Sequence, residues 1–207
     1  MILSFLLVAG VVATQPAALC DANFLGKELE QRAAVDQAAR RAYLERKGSK
    51  DTEENVLKID AANSAWLRQV LENCDWPAQS KIGTKAATNA WLIAQHSDMD
   101  PAFQRFAAEK MKASVLVGEA SGKGLALLVD RNRRMQKQPQ VYAMQFSIQD
   151  KMRIVFLLIE APESLDQRRK EIGLEPFVCW LQPIHHLISC HSPRAAPFHS
   201  AKPYQFL

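Results

Sequence analysis

Between Phe24 and Met135 the chain is composed largely of strong helix formers, broken at intervals by residues that a helix cannot pass. Phe24 to Lys47 is rich in Ala, Leu, Glu, Gln and Arg, and Gly48 stops it. Glu28 with Arg32 and Asp36 with Arg40 stand acid before base at i,i+4, which supports an exposed helical face. A second helix starts near Asp51 or Thr52, with Glu53 and Glu54 in its first turn. It carries Val56, Ile59, Trp66, Leu67 and Val70 on one stripe and ends at "CDWP", since Pro77 has no N–H to continue it. A third, Thr84 to His96, presents Ala87, Ala90, Trp91 and Ala94 on one face. The fourth opens at "DPAF", with Asp100 as cap and Pro101 in the first helical position, and Gly118 stops it. The fifth runs from about Ser121 to Met135, with Leu125, Leu128 and Val129 inward.

The period then changes from 3.6 to 2. "QVYAMQFSI" alternates, which places Tyr142, Met144, Phe146 and Ile148 on one face of a strand. "MRIVFLLIE" reads as its partner, "QDK" as the turn between them, and "PESLDQRRKEIG" as a helix stopped at Gly173. The expected fold is mainly α: a single domain of about five helices, plus a C-terminal β-hairpin and a short helix. No internal repeat occurs, and residues 191–207 read as a loose tail.

Residues 2–13, "ILSFLLVAGVVA", have the length and apolarity of a signal-peptide h-region and are short for a membrane span. Small residues follow, and Val11-x-Ala13 and Ala18-x-Cys20 are both cleavage triplets, so residues 1–20 are assigned to a cleaved leader and 21–190 to the domain. "AALC" also carries a lipoprotein alternative through Cys20. The expected location is the periplasm or the extracellular space, with no stable membrane span once the leader is gone. Of Cys20, Cys74, Cys179 and Cys190, no two have CxxC spacing, which argues against a zinc knuckle. Cys74 pairing with Cys179 or Cys190 and scattered buried thiols are both open readings. The net charge of +4 is spread among acidic residues, not gathered in a stripe, so nucleic acid is not the expected partner. No GxSxG, Walker loop, HExxH or GxGxxG occurs, and "GEASGKG" lacks both the Walker spacing and a preceding strand. No cofactor and no metal are expected.

The succession "DWPAQSKIG", "NAWLIAQHSDMDPAFQ", "GEASGKGLALLVDR", "QPQVYAMQF" and "IEAPESLDQRRKEIGLEPF" resembles a bacterial family of domains of unknown function. That resemblance covers roughly residues 30 to 182 and implies no reaction. This chain departs from it at Ala143 and Met144, where the family's strand motif has Gly-Thr, and at Ala161, where the family has Asp before Pro162.

Several polar residues are candidates for chemistry. His96 falls in the last turn of its helix, where the dipole favours imidazolium, and Asp98 is placed to orient the ring, as a general acid or base requires. Gln145, an uncharged donor and acceptor, suits orientation of a substrate amide or hydroxyl, and Gln140 and Tyr142 lie on the same strand. Tyr142, Gln140, Glu119, Asp130 and Arg131 are the candidate binding residues; Glu119 is also placed to cap the fifth helix. Of Asp130 and Arg131, about a hundred degrees apart, either could reach a pocket, while at least one is expected in a salt bridge to another helix. Asp36 and Asn63 interrupt apolar stripes and are expected to be buried in a polar bridge between the first two helices. Arg168 and Arg169 read as a solvated face or an anion site, and a metal trio of His96, Asp98 and Glu119 has acceptable ligand types. The expected function is a binding or interaction module for a small molecule or an envelope or protein partner, with a polar cleft at His96 close to Gln145 or Tyr142. The alternative is an exported hydrolase using His96 as acid or base.

Overall fold

In the computed structural model, which describes residues 16–149 and 153–181, the helical punctuation acts as the sequence implies. The chain runs α1 (Pro16–Leu19), α2 (Ala22–Glu45), α3 (Lys50–Cys74), α4 (Gln79–Ile82), α5 (Thr84–Gln95), α6 (Pro101–Leu116) and α7 (Gly122–Met135). After these come β1 (Phe146–Gln149), β2 (Arg153–Phe156), a 3-10 turn at Pro162–Ser164, α8 (Leu165–Glu171) and α9 (Phe177–Leu181). Side chains cap three of the long helices: Asp21 accepts from the N–H of Phe24 at 2.8 Å, Asp100 from Phe103 at 2.9 Å and Ser121 from Gly124 at 3.1 Å. Gly48 and Gly118 adopt left-handed φ just past helix ends. The result is a mainly helical single domain with a small hairpin.

The third of the five long helices, α5, is central and packs against α2, α3, α6 and α7. Its composition explains that place. Ala86, Ala87, Ala90 and Ala94 are all buried, and side chains this small let several helix axes approach one rod. The glycines of "GEASGKG" serve packing in the same way. A Cβ at Gly122 would lie 1.8 Å from the carbonyl oxygen of Ile172, and one at Gly124 would press on Met111 and Trp91. Leu125 and Leu128 face the core as expected, while Val129 is only partly buried.

The strand expectation needs correction. Regular pairing begins at Phe146, not Gln140, and runs from Phe146↔Phe156 to Gln149↔Arg153. Tyr142, Ala143 and Met144 are buried in succession, so no alternation holds there. Ala143 sits at φ +58°, which breaks the extended conformation, and the segment doubles back so that Gln140 makes an isolated parallel bridge to Ile159. The cysteine expectation also changes: Cys74 pairs with Cys20 at a Cα separation of 5.4 Å, and Cys179 is itself disulfide-bonded. No helix among the described residues is long and apolar enough to cross a membrane. The tail at 191–207 and the apolar run at 2–13 lie outside the described residues.

Candidate functional site

His96 is the C-cap of α5, and its ring meets α2 and α3. Asp36, one of the buried residues of α2, places both carboxylate oxygens 3.0 Å from His96 Nδ1. Arg40, one turn further along α2, donates from Nε to Asp36 Oδ1 at 3.1 Å and from Nη2 to Asp60 of α3 at 2.5 Å. Gln37 Nε2 donates to Asp36 Oδ2 at 2.7 Å. The Arg40 Nε also lies 2.9 Å from Nδ1, and one nitrogen cannot both receive that proton and donate to Asp36. A carboxylate in this state only accepts, so the consistent assignment puts the hydrogen on Nδ1, directed at Asp36. In the neutral ring the lone pair is then on Nε2, which has no partner among the described residues. The side chain of His96 keeps 16% of its exposure, so water reaches this edge.

The surrounding carboxylates are tuned apart. Burial pushes Asp36 up, but the hydrogen bond and charge of His96, the Gln37 amide and Arg40 together hold it below the usual aspartate range. Asp60 is held above that range, by burial first and by the charge of Asp36 next, against the pull of Arg40. Behind it Ser64 Oγ donates to Ser97 Oγ at 2.6 Å, and Ser97 passes the chain to the carbonyl of Ile93 at 2.9 Å.

Asp98 does not orient His96, contrary to the expectation from spacing. Its two oxygens take a fork from Arg131, at 2.8 Å from Nε and 2.5 Å from Nη2, and Gln104 adds a bond at 3.2 Å. Burial pushes Asp98 up, yet Arg131 and Gln104 outweigh it, and the carboxyl stays below its ordinary value. The part of the carboxylate expected of Asp98 is taken by Asp36, sixty positions away in sequence. The Asp36–Arg40 pair accordingly belongs to this inner cluster, not to an exposed face.

The other candidates gather elsewhere. Asp130 is fully buried, and its carboxylate accepts from the N–H groups of Val141 (2.7 Å), Tyr142 (3.1 Å) and Met144 (2.8 Å). Burial raises its pKa, and these bonds and the Arg169 charge oppose that without cancelling it. Gln140 is also fully buried; its side chain donates to the Leu157 carbonyl at 3.0 Å and accepts from the N–H of Gln145 at 2.7 Å. Arg169 is no solvated residue: it is wholly buried and donates to the carbonyls of Tyr142 (2.7 Å) and Glu175 (2.8 Å). Arg168 likewise holds the carbonyls of Val141, Ala161 and Glu160. Gln140, Tyr142 and the backbone of Gln145 therefore belong to a second polar cluster, and no hydrogen bond joins them to His96 among the described residues. Glu119 caps α4, accepting from the N–H of Ser80 at 3.0 Å, while Ser121 caps α7. The metal trio of His96, Asp98 and Glu119 is thus not assembled. Asp36, Asp60 and His96 do bring ligand atoms within 4.8 Å of one another, but the Arg40 guanidinium already supplies the positive charge between the two carboxylates.

Asp36 and Asn63 are buried as expected, though not bonded together: Asn63 accepts from Arg32 at 3.2 Å, and that bond does bridge α2 and α3. Arg40, Asp60 and Gln104 were not candidates from sequence. For Arg40 and Asp60 the only advance signal is Asp36, an acid on an apolar stripe that needs partners; Gln104, which bonds Asp98, has none.

A family model described as a family of unknown function (DUF6624) matches residues 24–188, most of the chain, and the chain belongs to that family. No curated protein matches the chain, and no solved structure does.

Proposed function

We propose that this member of the DUF6624 family is a binding module whose polar site is the exposed edge of the His96 cluster. The observation that carries this reading is His96 itself: Nδ1 is locked by Asp36 and Nε2 faces no protein group among the described residues. A preoriented ring nitrogen of this kind accepts a hydrogen bond from a ligand hydroxyl or amide, or donates one when protonated. The ion pair of Asp98 and Arg131 stands on the same side, each group about a quarter exposed. Ligand-observed NMR with a fragment set of hydroxyls, amides and carboxylates tests it. Fragments that bind the wild type should lose binding to His96→Ala, and unchanged binding to that variant would sink the reading.

One observation favours catalysis as a second reading, because a buried carboxylate on Nδ1 fixes the tautomer and orientation of a ring whose Nε2 is left for a substrate proton. Against it, the nearby hydroxyls of Ser64 and Ser97 are buried and committed to each other and to backbone. Turnover of chromogenic ester, amide or glycoside substrates, lost in both His96→Ala and Asp36→Asn, would move the assignment to hydrolysis.

Export remains part of the proposal, with a narrower leader. Leu19 is packed in the core, Cys20 is cross-linked to Cys74 and Asp21 caps α2, so cleavage after Cys20 would strip the domain of a core residue and a disulfide. These features support the Val11-x-Ala13 triplet, and a Cys20 in a disulfide offers no thiol for a lipid. The intact mass of exported protein should correspond to a chain starting at Thr14; a start at Asp21 would refute it.

A further inference from the structure

A cavity lies away from His96, lined by α5, α7 and Trp76. Its volume is about 270 Å³, just under the usual range for drug-sized ligands, so it suits a body of one or two rings. Two indoles, Trp76 and Trp91, and Met111 supply flat and polarizable walls, and the space exists because Ala87 and Gly124 contribute almost no side chain. Most polar lining groups are already spent. Trp91 Nε1 donates to the Gly124 carbonyl at 2.8 Å, Gln79 Nε2 to Gly118 at 2.7 Å, and Thr88 to Thr84 at 2.8 Å. Two are not. Trp76 is 4% exposed, and its Nε1–H has no partner among the described residues, an unusual omission for a buried donor. Lys123 lines the same cavity, is exposed, and forms no ion pair among the described residues.

We propose that this cavity is a binding site for small amphiphilic anions: a flat apolar body held between Trp76 and Trp91, with an acidic, hydrogen-bond-accepting head at Lys123. An exposed cation with no ion-pair partner among the described residues, beside an aromatic slot, calls for an acceptor that carries negative charge. The site is independent of the His96 cluster. Trp91 precedes His96 by five residues, which turns it well over a hundred degrees around α5 and about 7.5 Å along it.

The test uses 2-naphthoate and its neutral isostere 2-naphthamide as probes, followed by isothermal titration calorimetry on the disulfide-bonded protein. The naphthoate should bind with a dissociation constant below about 1 mM, and more tightly than the amide. Lys123→Glu should weaken naphthoate roughly tenfold and leave naphthamide within about twofold, the difference expected of reversing one exposed charge. Ala87→Leu, which fills the slot, should abolish both; Thr88→Trp, on the exposed rim, closes the slot without touching the core if Ala87→Leu fails to fold. His96→Ala should change neither affinity, so this site and the His96 reading fail separately. Absence of binding by naphthoate, equal affinity for the amide, or retained binding in a folded slot-filling variant would each overturn the proposal.

Discussion

Asp130 and Arg131 are neighbours on α7, yet they serve two polar clusters of opposite design. Asp130 turns inward and spends its carboxylate on three backbone N–H groups of the segment at 141–144. Around it Gln140, Arg168 and Arg169 also bond chiefly to backbone. Arg131 turns about a hundred degrees away and pairs with Asp98, beside a cluster whose members bond to one another's side chains. The first cluster replaces secondary structure where the chain cannot form any. The second leaves an open edge and a free ring nitrogen. Polar side chains that saturate backbone stand in for secondary structure, whereas side chains that hold one another in place around an accessible atom are what the proposed binding site rests on.

Breaking the first cluster should cost most. Asp130→Ala leaves three N–H groups without their acceptor, two of them buried, and at roughly 1 to 3 kcal/mol for each buried unsatisfied group the loss should be about 2 to 6 kcal/mol. Urea denaturation measures it, and a loss under about 1 kcal/mol would show that the segment finds other acceptors.

Asp36→Ala comes next, at about 2 kcal/mol, because His96 and Arg40 keep other solvation while losing a buried acceptor. Its pH dependence has a definite sign. The folded pKa of Asp36 lies below its unfolded value, so its contribution is present above the ordinary aspartate range and is lost as pH falls through the folded value. Asp60 is raised and acts oppositely, contributing most at low pH and losing that contribution as pH rises through its folded pKa. Asp36→Asn should therefore flatten the acid limb of stability below about pH 4, and a limb identical to wild type would contradict the ion pair.

His96→Ala should cost only about 1 kcal/mol, since Gln37 and Arg40 still satisfy Asp36. That small effect, beside complete loss of fragment binding, is what separates an accessible site from a structural bridge. A melt lowered as far as in Asp130→Ala would erase the contrast between the clusters. The smallest effect runs the other way. Ala143→Gly relieves left-handed strain of about 1 to 2 kcal/mol, offset by about 0.8 kcal/mol for one buried methyl, so a gain near 0.5 kcal/mol is expected. A destabilised Ala143→Gly would mean that the methyl matters more than the backbone.

The second half of the chain shows where reading the sequence stops. "QVYAMQFSI" has a period of two, yet Asp130 captures N–H groups at 141, 142 and 144 before a partner strand can, and Ala143 turns the chain out of extension. Nothing in the spacing of residues 140–148 announces an acceptor ten residues upstream. Asp98 is a similar case: two residues from His96 in sequence, it sits in the α5–α6 turn and faces Arg131 of α7.

What the sequence determined by itself is the five long helices and where most of them stop. Helix propensity and capping are local, acting over four residues or fewer, so Asp100, Gly48 and Gly118 are legible without knowing any neighbour, whereas the cap of α7 is Ser121 and not the expected Glu119. The hydrophobic period likewise marked which face of each helix turns inward. Only the tertiary structure decided which buried polar groups meet there. Asp36 announced that it needed a partner, but His96 becomes that partner because α2 and α5 pack with those positions in contact, and packing is a property of whole faces that no local spacing encodes.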